Sequence, residues 1–325
     1  MTYPKLFIVG CPRSGTSWVT SLVSHHPDVV AVPIETHAYP LVYEPFVQLP
    51  EQALMTRLKS WKGILRRYGV MPLLFGFQSS DIWRGILRDY QIMNKENSHG
   101  LRLLVDYSEI QQLVETAQQR PGVDLDKAEQ VISDMFDLFF QSQVPAKERS
   151  GKVFLEKTPL HLRYASNILR RFPKARIIEV IRDGRDVCAS YDALAKRYAW
   201  ANIGTEGAIS QWKNCIESGE QLRKNPAFFY RIHTVRYESL KAAPNAELRQ
   251  MLEFSELPST SQQVEEWVAA ASIERVKEKG EGQYVRQGTV GDWKNRLSAE
   301  DVEVCEAIAG QQLRQLGYAQ DMPGQ

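Results

Sequence analysis

The stretch GCPRSGTSW, Gly10 to Trp18, follows the apolar run LFIV at residues 6–9. An apolar run of strand length, a glycine-containing turn and then a helical pattern (GTSWVTSLVSHHP, closed by Pro27) make a strand–loop–helix unit. Gly10 and Gly15 have the G-x-x-x-x-G spacing of a phosphate loop. In a loop built for a triphosphate the next residue is lysine, which neutralises the β- and γ-phosphates beside a magnesium ion. Here that position is Thr16, and an arginine, Arg13, stands inside the loop instead. A magnesium-bound triphosphate is therefore poorly served. An anion of lower charge is served well, by free backbone N–H groups at the helix start, by the hydroxyls of Ser14, Thr16 and Ser17, and by one guanidinium. Gly15 lets the backbone come close to such an anion.

Working outward, short strand patterns recur at DVVAVP (28–33), VFLE (153–156), ARIIEVI (175–181) and FFYRIHTVRY (228–237). Helical patterns lie between them, among them HLRYASNILRRF and DVCASYDALAKRYA. Alternating strands and helices predict an α/β fold with a mostly parallel, P-loop-type sheet flanked by helices. Residues 45–150 break the alternation with amphipathic helical patterns such as EQALMTRLKSWKGILRRYG and LDKAEQVISDMFDLFFQSQ. They read as a helical insertion within one domain covering residues 1–325. The tail SAEDVEVCEAIAGQQLRQLGY reads as a closing helix capped at Ser298.

The bulk numbers set the frame. The chain has 325 residues, 43% of them hydrophobic, enough for a sizeable core. A formal net charge of +1 gives no global field that would mark a nucleic-acid or membrane partner. Cys11, Cys188, Cys215 and Cys305 have no paired spacing, so neither a zinc site nor a disulfide framework is expected, and a reducing compartment fits. No stretch approaches the ~18 apolar residues of a membrane span, and no signal-peptide pattern opens the chain. The expectation is a cytoplasmic protein.

PRSGTSW resembles the 5′-phosphosulfate loop of the sulfotransferases that use 3′-phosphoadenosine 5′-phosphosulfate (PAPS). The family's other signatures follow in order. EVIRDGRDVCASY places Arg182 at a strand end and Ser190 eight residues on, and resembles the family's 3′-phosphate motif. VRQGTVGDWKNRLS is similar to its Arg-Lys-Gly…Gly-Asp-Trp-Lys segment, with Arg286 and Gly288 matching and Gln287 in place of the frequent lysine. VRYESL matches a recurring Tyr-(Glu/Asp)-x-Leu segment, which puts Tyr237 either near the adenine or in packing. The resemblance implies a PAPS-dependent enzyme. Arg13, Ser14, Gly15, Thr16, Ser17, Trp18, Arg182, Ser190, Tyr237, Arg286, Gln287 and Gly288 would hold the nucleotide. The product would be 3′-phosphoadenosine 5′-phosphate (PAP). No metal is needed, and the sequence has no metal-ligand cluster.

Sulfuryl transfer needs charge stabilisation at the leaving oxygen and a base for the acceptor. Arg13 and Lys157 are the candidates for the first. Lys157, in FLEKTPLH, resembles the family's Glu/Asp-Lys-(Thr/Ser)-Pro segment, and Thr158-Pro159 reads as N-cap and N1 of a helix. Glu35, in AVPIETHAYP, is the leading base candidate, followed by His37 and then His161. A glutamate base would need its pKa raised by burial. Arg185 and Asp186 read as a salt-bridged turn, and His25 and His26 as caps on helix carbonyls. The insertion, with Trp61, Tyr68, Phe75, Phe77, Trp83 and Tyr90, reads as an acceptor-side lid or as plain core. The acceptor expected is a small molecule offering a hydroxyl, less readily an amine. Some members of the family dimerise, so a homodimer stays open. Two other readings compete. A P-loop small-molecule kinase would want the lysine that Thr16 replaces, and a non-catalytic nucleotide-binding protein would lack Arg13, Lys157 or every base candidate.

Overall fold

The computed structural model describes residues 3–47, 78–96, 104–271 and 288–318. The pattern at 51–69, together with Trp61, Tyr68, Phe75, Phe77, Arg286 and Gln287, lies outside the described residues. Five strands, β1 (Lys5–Gly10), β2 (Val29–Ala31), β3 (Val153–Lys157), β4 (Arg176–Ile181) and β5 (Ile232–Arg236), form one sheet of order β2-β3-β1-β4-β5. Every neighbouring pair is parallel. The described helices are α1 (Thr16–Val23), α2 (Ser79–Glu96), α3 (Tyr107–Gln119), α4 (Asp124–Gln143), α5 (Ala165–Arg171), α6 (Gly184–Ala195), α7 (Gly204–Lys224), α8 (Tyr237–Ala242), α9 (Pro244–Phe254), α10 (Ser261–Ala270) and α11 (Ala299–Gln315). This is the α/β parallel sheet that the sequence predicts.

The chain divides into two compact units, Met1–Ala31 with Gly151–Gln325, and Val32–Ser150. The first holds the sheet. Its central strands β1 and β4 are buried on both faces, which is why they read as unbroken apolar runs. Leu6, Ile8, Leu155, Ile178, Val180 and Val235 turn one way, against Val19, Leu22 and Val23 of α1 and Leu248, Met251 and Leu252 of α9. Their neighbours along each strand turn the other way, as period two requires. Phe7 stacks on Phe172, 6.0 Å between centroids, and the buried Glu179 carboxylate meets Arg223 of α7. α11 begins at the Ser298 cap in a full capping box with Asp301, as the sequence predicts.

The second unit is helical. α3 opens on a capping box between Asp106 and Glu109. Ile110, Val114 and Ala117 of α3 are buried, as are Val131, Ile132, Met135, Phe136 and Phe140 of α4, at helical spacing. Trp83 and Tyr90 of α2 are buried too, Trp83 packed at 4.7 Å on Phe46. These two aromatics are core. The unit starts at Val32, directly after β2, so Glu35 and His37 belong to it.

Candidate functional site

In an open parallel sheet, ligands bind at the carboxyl ends of the strands, where connections leave in opposite directions. Here that point lies between β1 and β4. The chain leaves β1 through α1 toward β2 on one side, and leaves β4 toward β5 on the other. The loop 11–15 follows β1, and the turn Arg182-Asp183 follows β4.

The loop is held in a tight, partly strained path. Gly15, the N-cap of α1, has φ 99°, and Arg13 has φ 73°, a region that a side chain disfavours. The Ser14 amide bonds back to the Cys11 carbonyl at 3.1 Å, and the amides of Trp18 and Val19 close on the Gly15 carbonyl. The first N–H groups of a helix have no i→i−4 acceptor within it; at the start of α1 that of Trp18 is taken by the Gly15 carbonyl, and Ser17 beside it is exposed.

Across the switch point, Arg13 Nε donates to Ser190 Oγ at 3.1 Å. Arg182 Nη1 donates to the Arg13 carbonyl at 3.3 Å. The predicted first and second motifs are thus in direct contact. Arg182 and Ser190 are both buried, at 8% and 7% exposure. Two polar atoms here, Ser14 Oγ and Arg182 Nε, are buried without a hydrogen-bond partner. Such orphans are costly inside a protein and rare. At the end of β3, Lys157 Nζ donates to Ser17 Oγ at 3.3 Å, so the third strand also delivers its candidate to the loop.

Tyr237, at the end of β5, is buried and packs edge-on to Trp18 (centroids 5.8 Å). The Arg182 guanidinium lies over the Tyr237 ring at 4.5 Å. Its hydroxyl donates to the Gly288 carbonyl at 2.8 Å, which brings the third motif to the same place. Burial pushes the Tyr237 phenol above the usual tyrosine range, against the pull of Arg182. Trp18 Nε1 donates to the Ala271 carbonyl at 3.1 Å.

The base candidates separate. His161 is fully buried, its Nδ1 2.9 Å from Glu156 Oε2, while Thr158 Oγ1 donates to Glu156 Oε1 at 2.6 Å. Thr158 occupies the predicted N-cap and Pro159 the predicted N1, but the hydroxyl serves Glu156, and the turn Pro159–Tyr164 is a 3-10 helix. The histidine is thus enclosed with its carboxylate at the end of β3. Glu35 and His37, in the other unit, stand 3.4 Å apart with side chains 35% and 42% exposed. Glu35 is thus paired and partly exposed. His37 sits at φ 51°. The end of α1 matches expectation for His25, whose Nδ1 lies 2.6 Å from the Ser21 carbonyl. His26 instead bridges two segments: the Asp28 amide donates to its Nδ1, and its Nε2 lies 2.9 Å from the Pro258 carbonyl.

The sequence reading missed two carboxylates. Glu156 anchors His161 and Thr158, and only its apolar strand neighbours marked it as buried. Asp186, read as part of a salt-bridged turn, accepts from the backbone amides of Gly291 and Trp293 at 2.9 and 3.0 Å.

The Sulfotransferase family model matches residues 4–261. Cytosolic sulfotransferase 4 of Arabidopsis thaliana is 22% identical over 146 residues, 44% of this chain and 49% of that protein. Sulfotransferase 1B1 of Mus musculus is 23% identical over 199 residues, 51% of this chain and 65% of that protein. The match therefore spans about half to two thirds of these relatives' length. Mouse sulfotransferase SULT7A1, solved in complex with PAP, has a similar fold (TM-score 0.52, 14% identity, 96% of this chain and 85% of that one). So does the sulfotransferase domain of the Synechococcus PCC 7002 olefin synthase (TM-score 0.52, 16% identity, 99% and 96%). With most of the chain matched by the family model, and with loop, Arg182–Ser190 pair and Lys157 gathered at one sheet edge, the chain belongs to the sulfotransferase family.

Proposed function

We propose that this protein moves a sulfuryl group from PAPS to a hydroxyl of a small-molecule acceptor. The observation that carries the reading is the Ser190–Arg13–Arg182 contact at the β1/β4 switch point, with Ser14 Oγ and Arg182 Nε buried and unpartnered beside it. Two orphaned donors next to the N-terminus of a helix are what a nucleotide with separate 5′ and 3′ phosphate groups would satisfy. The fold shared with the PAP complex of mouse SULT7A1 agrees with this choice.

The donor supplies an activated sulfuryl group on a phosphate leaving group. The chain's own residues divide the remaining work. Ser14, Thr16, Ser17 and the amides at the start of α1 hold the 5′ end, with Gly15 giving close approach and Trp18 backing the helix. Arg182 and Ser190 hold the 3′-phosphate, joined by Arg286, Gln287 and Gly288, and Tyr237 packs beside the nucleotide. Lys157 and Arg13 neutralise charge at the leaving oxygen. Glu35 accepts the acceptor's proton, or His37 does in its place. The enclosure of His161 with Glu156 argues against it in that role. The helical unit supplies the acceptor pocket. Four buried free thiols suit a cytoplasmic setting.

The test is ligand stabilisation of the purified protein without metal. PAP at a hundredfold excess over its Kd adds about 2.7 kcal/mol of stability and raises Tm clearly. Adenosine 5′-monophosphate, which lacks the 3′ group, raises it less. The difference disappears in Arg182→Ala. Equal response to both nucleotides, or to neither, overturns the reading.

A further inference from the structure

Asp186 occupies the third position of α6, after the Asp183 N-cap. At that position an acid commonly turns back to the N-cap amide. Here the Asp183 amide is taken by Glu238 Oε1 at 2.9 Å, and Asp186 is turned elsewhere. Its Oδ2 accepts from the Gly291 amide at 2.9 Å and its Oδ1 from the Trp293 amide at 3.0 Å. The same Oδ2 lies 3.5 Å from Arg182 Nη2, and that nitrogen donates to the Thr289 carbonyl at 3.0 Å. One carboxylate, 1% exposed, thus fixes both the arginine and the segment 289–293 that covers it. Gly291, at φ 74°, turns that segment so that its amide and that of Trp293 point at a single side chain. Trp293 is buried against Ala189 and Val302, and the Arg185 guanidinium lies 3.9 Å over its ring.

The arrangement leaves Arg182 well oriented. Its Nη1 and Nη2 each donate to a carbonyl, of Arg13 and Thr289, and its buried Nε has no partner. We propose that Asp186 is a positioning residue for recognition of the 3′-phosphate: it holds Arg182 and the backbone of 289–293 as one assembly, so that the phosphate meets a preformed site. The proposal rests on the donor reading above. It makes a prediction of sign. By Coulomb's law alone, a carboxylate beside a phosphate site repels the ligand, and neutralising it tightens binding. Positioning predicts the reverse. In Asp186→Asn one amide donor of the loop faces the side-chain NH2 and loses its acceptor, and the ion pair with Arg182 is gone.

The experiment is calorimetric titration of wild type and Asp186→Asn with PAP and with adenosine 5′-monophosphate. In the variant the affinity for PAP falls by about tenfold or more, the scale of a lost charge-assisted hydrogen bond. Affinity for the 5′-monophosphate stays within about threefold. Tighter PAP binding, an equal fall for both nucleotides, or no change each overturns the proposal. A wild type that does not prefer PAP sinks the donor reading itself, which keeps the two failures apart. Should the variant fold poorly, backbone hydrogen exchange of the wild type decides. PAP slows exchange in 288–295 and the 5′-monophosphate does not. Equal slowing by both, or none, refutes the coupling.

Discussion

Tyr237 fills the space that a side chain at residue 15 would need. A Cβ on Gly15 would come within 2.4 Å of the Tyr237 ring, and Gly15 also sits at φ 99°, where side chains are strained. Gly15→Ala therefore carries two penalties, one of backbone and one of contact, together about 2 kcal/mol or more. They can be told apart by a double-mutant cycle with Tyr237→Ala, which clears the ring and leaves the backbone strain. Chemical denaturation of the four proteins checks it. The two changes together cost less than their sum, and strict additivity would mean that the ring does not press on the loop. Arg13 and His37 also hold left-handed backbone, at φ 73° and 51°. Non-glycine residues kept there cost of order 1–3 kcal/mol and gather where function over-determines the geometry. Both are site candidates that the sequence had singled out on chemical grounds alone.

At the scale of elements, β5 carries a titration that the fold resists. His233 stacks on Phe254 at 5.3 Å, its Nε2 is buried without a partner, and burial lowers its pKa from the usual 6.5. The folded state takes up this proton less readily than the unfolded chain. The stabilising contribution is thus fully present above pH 6.5 and is lost as pH falls through the depressed value. His233→Phe keeps the stacking and removes the proton. Its Tm relative to wild type rises as pH drops below about 6.5, and a difference that does not vary with pH would refute this cause. The same strand shows where sequence reading stops. β1 and β4 were legible to within a residue, because strands buried on both faces are unbroken apolar runs. β5 begins only at Ile232. Phe229 and Tyr230, apolar by type, are 57% and 63% exposed in a 3-10 turn that pattern alone cannot tell from strand. Arg182 and Ser190 were legible because their spacing is local. The role of Asp186 was not, because its donors are backbone amides 105 residues or more further on, and amides leave no mark in a sequence.

Over the whole molecule, net charge near zero conceals a local gathering of guanidinium groups at one sheet edge, and scattered cysteines conceal a similar gathering of thiols. Cys188 and Cys305, 117 residues apart in the chain, have their sulfurs 3.8 Å apart, and Cys11 hydrogen-bonds with Cys215. All four are free and buried. The hydrogen bond with Cys305, and then burial, push the Cys188 thiol well above the usual range, and burial followed by the Cys215 bond does the same for Cys11. The thiolate is the reactive form, so the burial of all four, with the raised pKa of Cys11 and Cys188, predicts inert cysteines. The native protein should consume less than one equivalent of 5,5′-dithiobis(2-nitrobenzoic acid) over many minutes at pH 8. The guanidinium-unfolded protein, without reductant, should consume four, one per cysteine in the chain. Fast reaction of any thiol in the native state would mean that the loop carrying Cys11 or the α6–α11 contact opens readily. That would also weaken the case for a preformed nucleotide site, because both segments border it. A count of two after unfolding would show one pair already oxidised, and would move the protein out of the reducing compartment proposed for it.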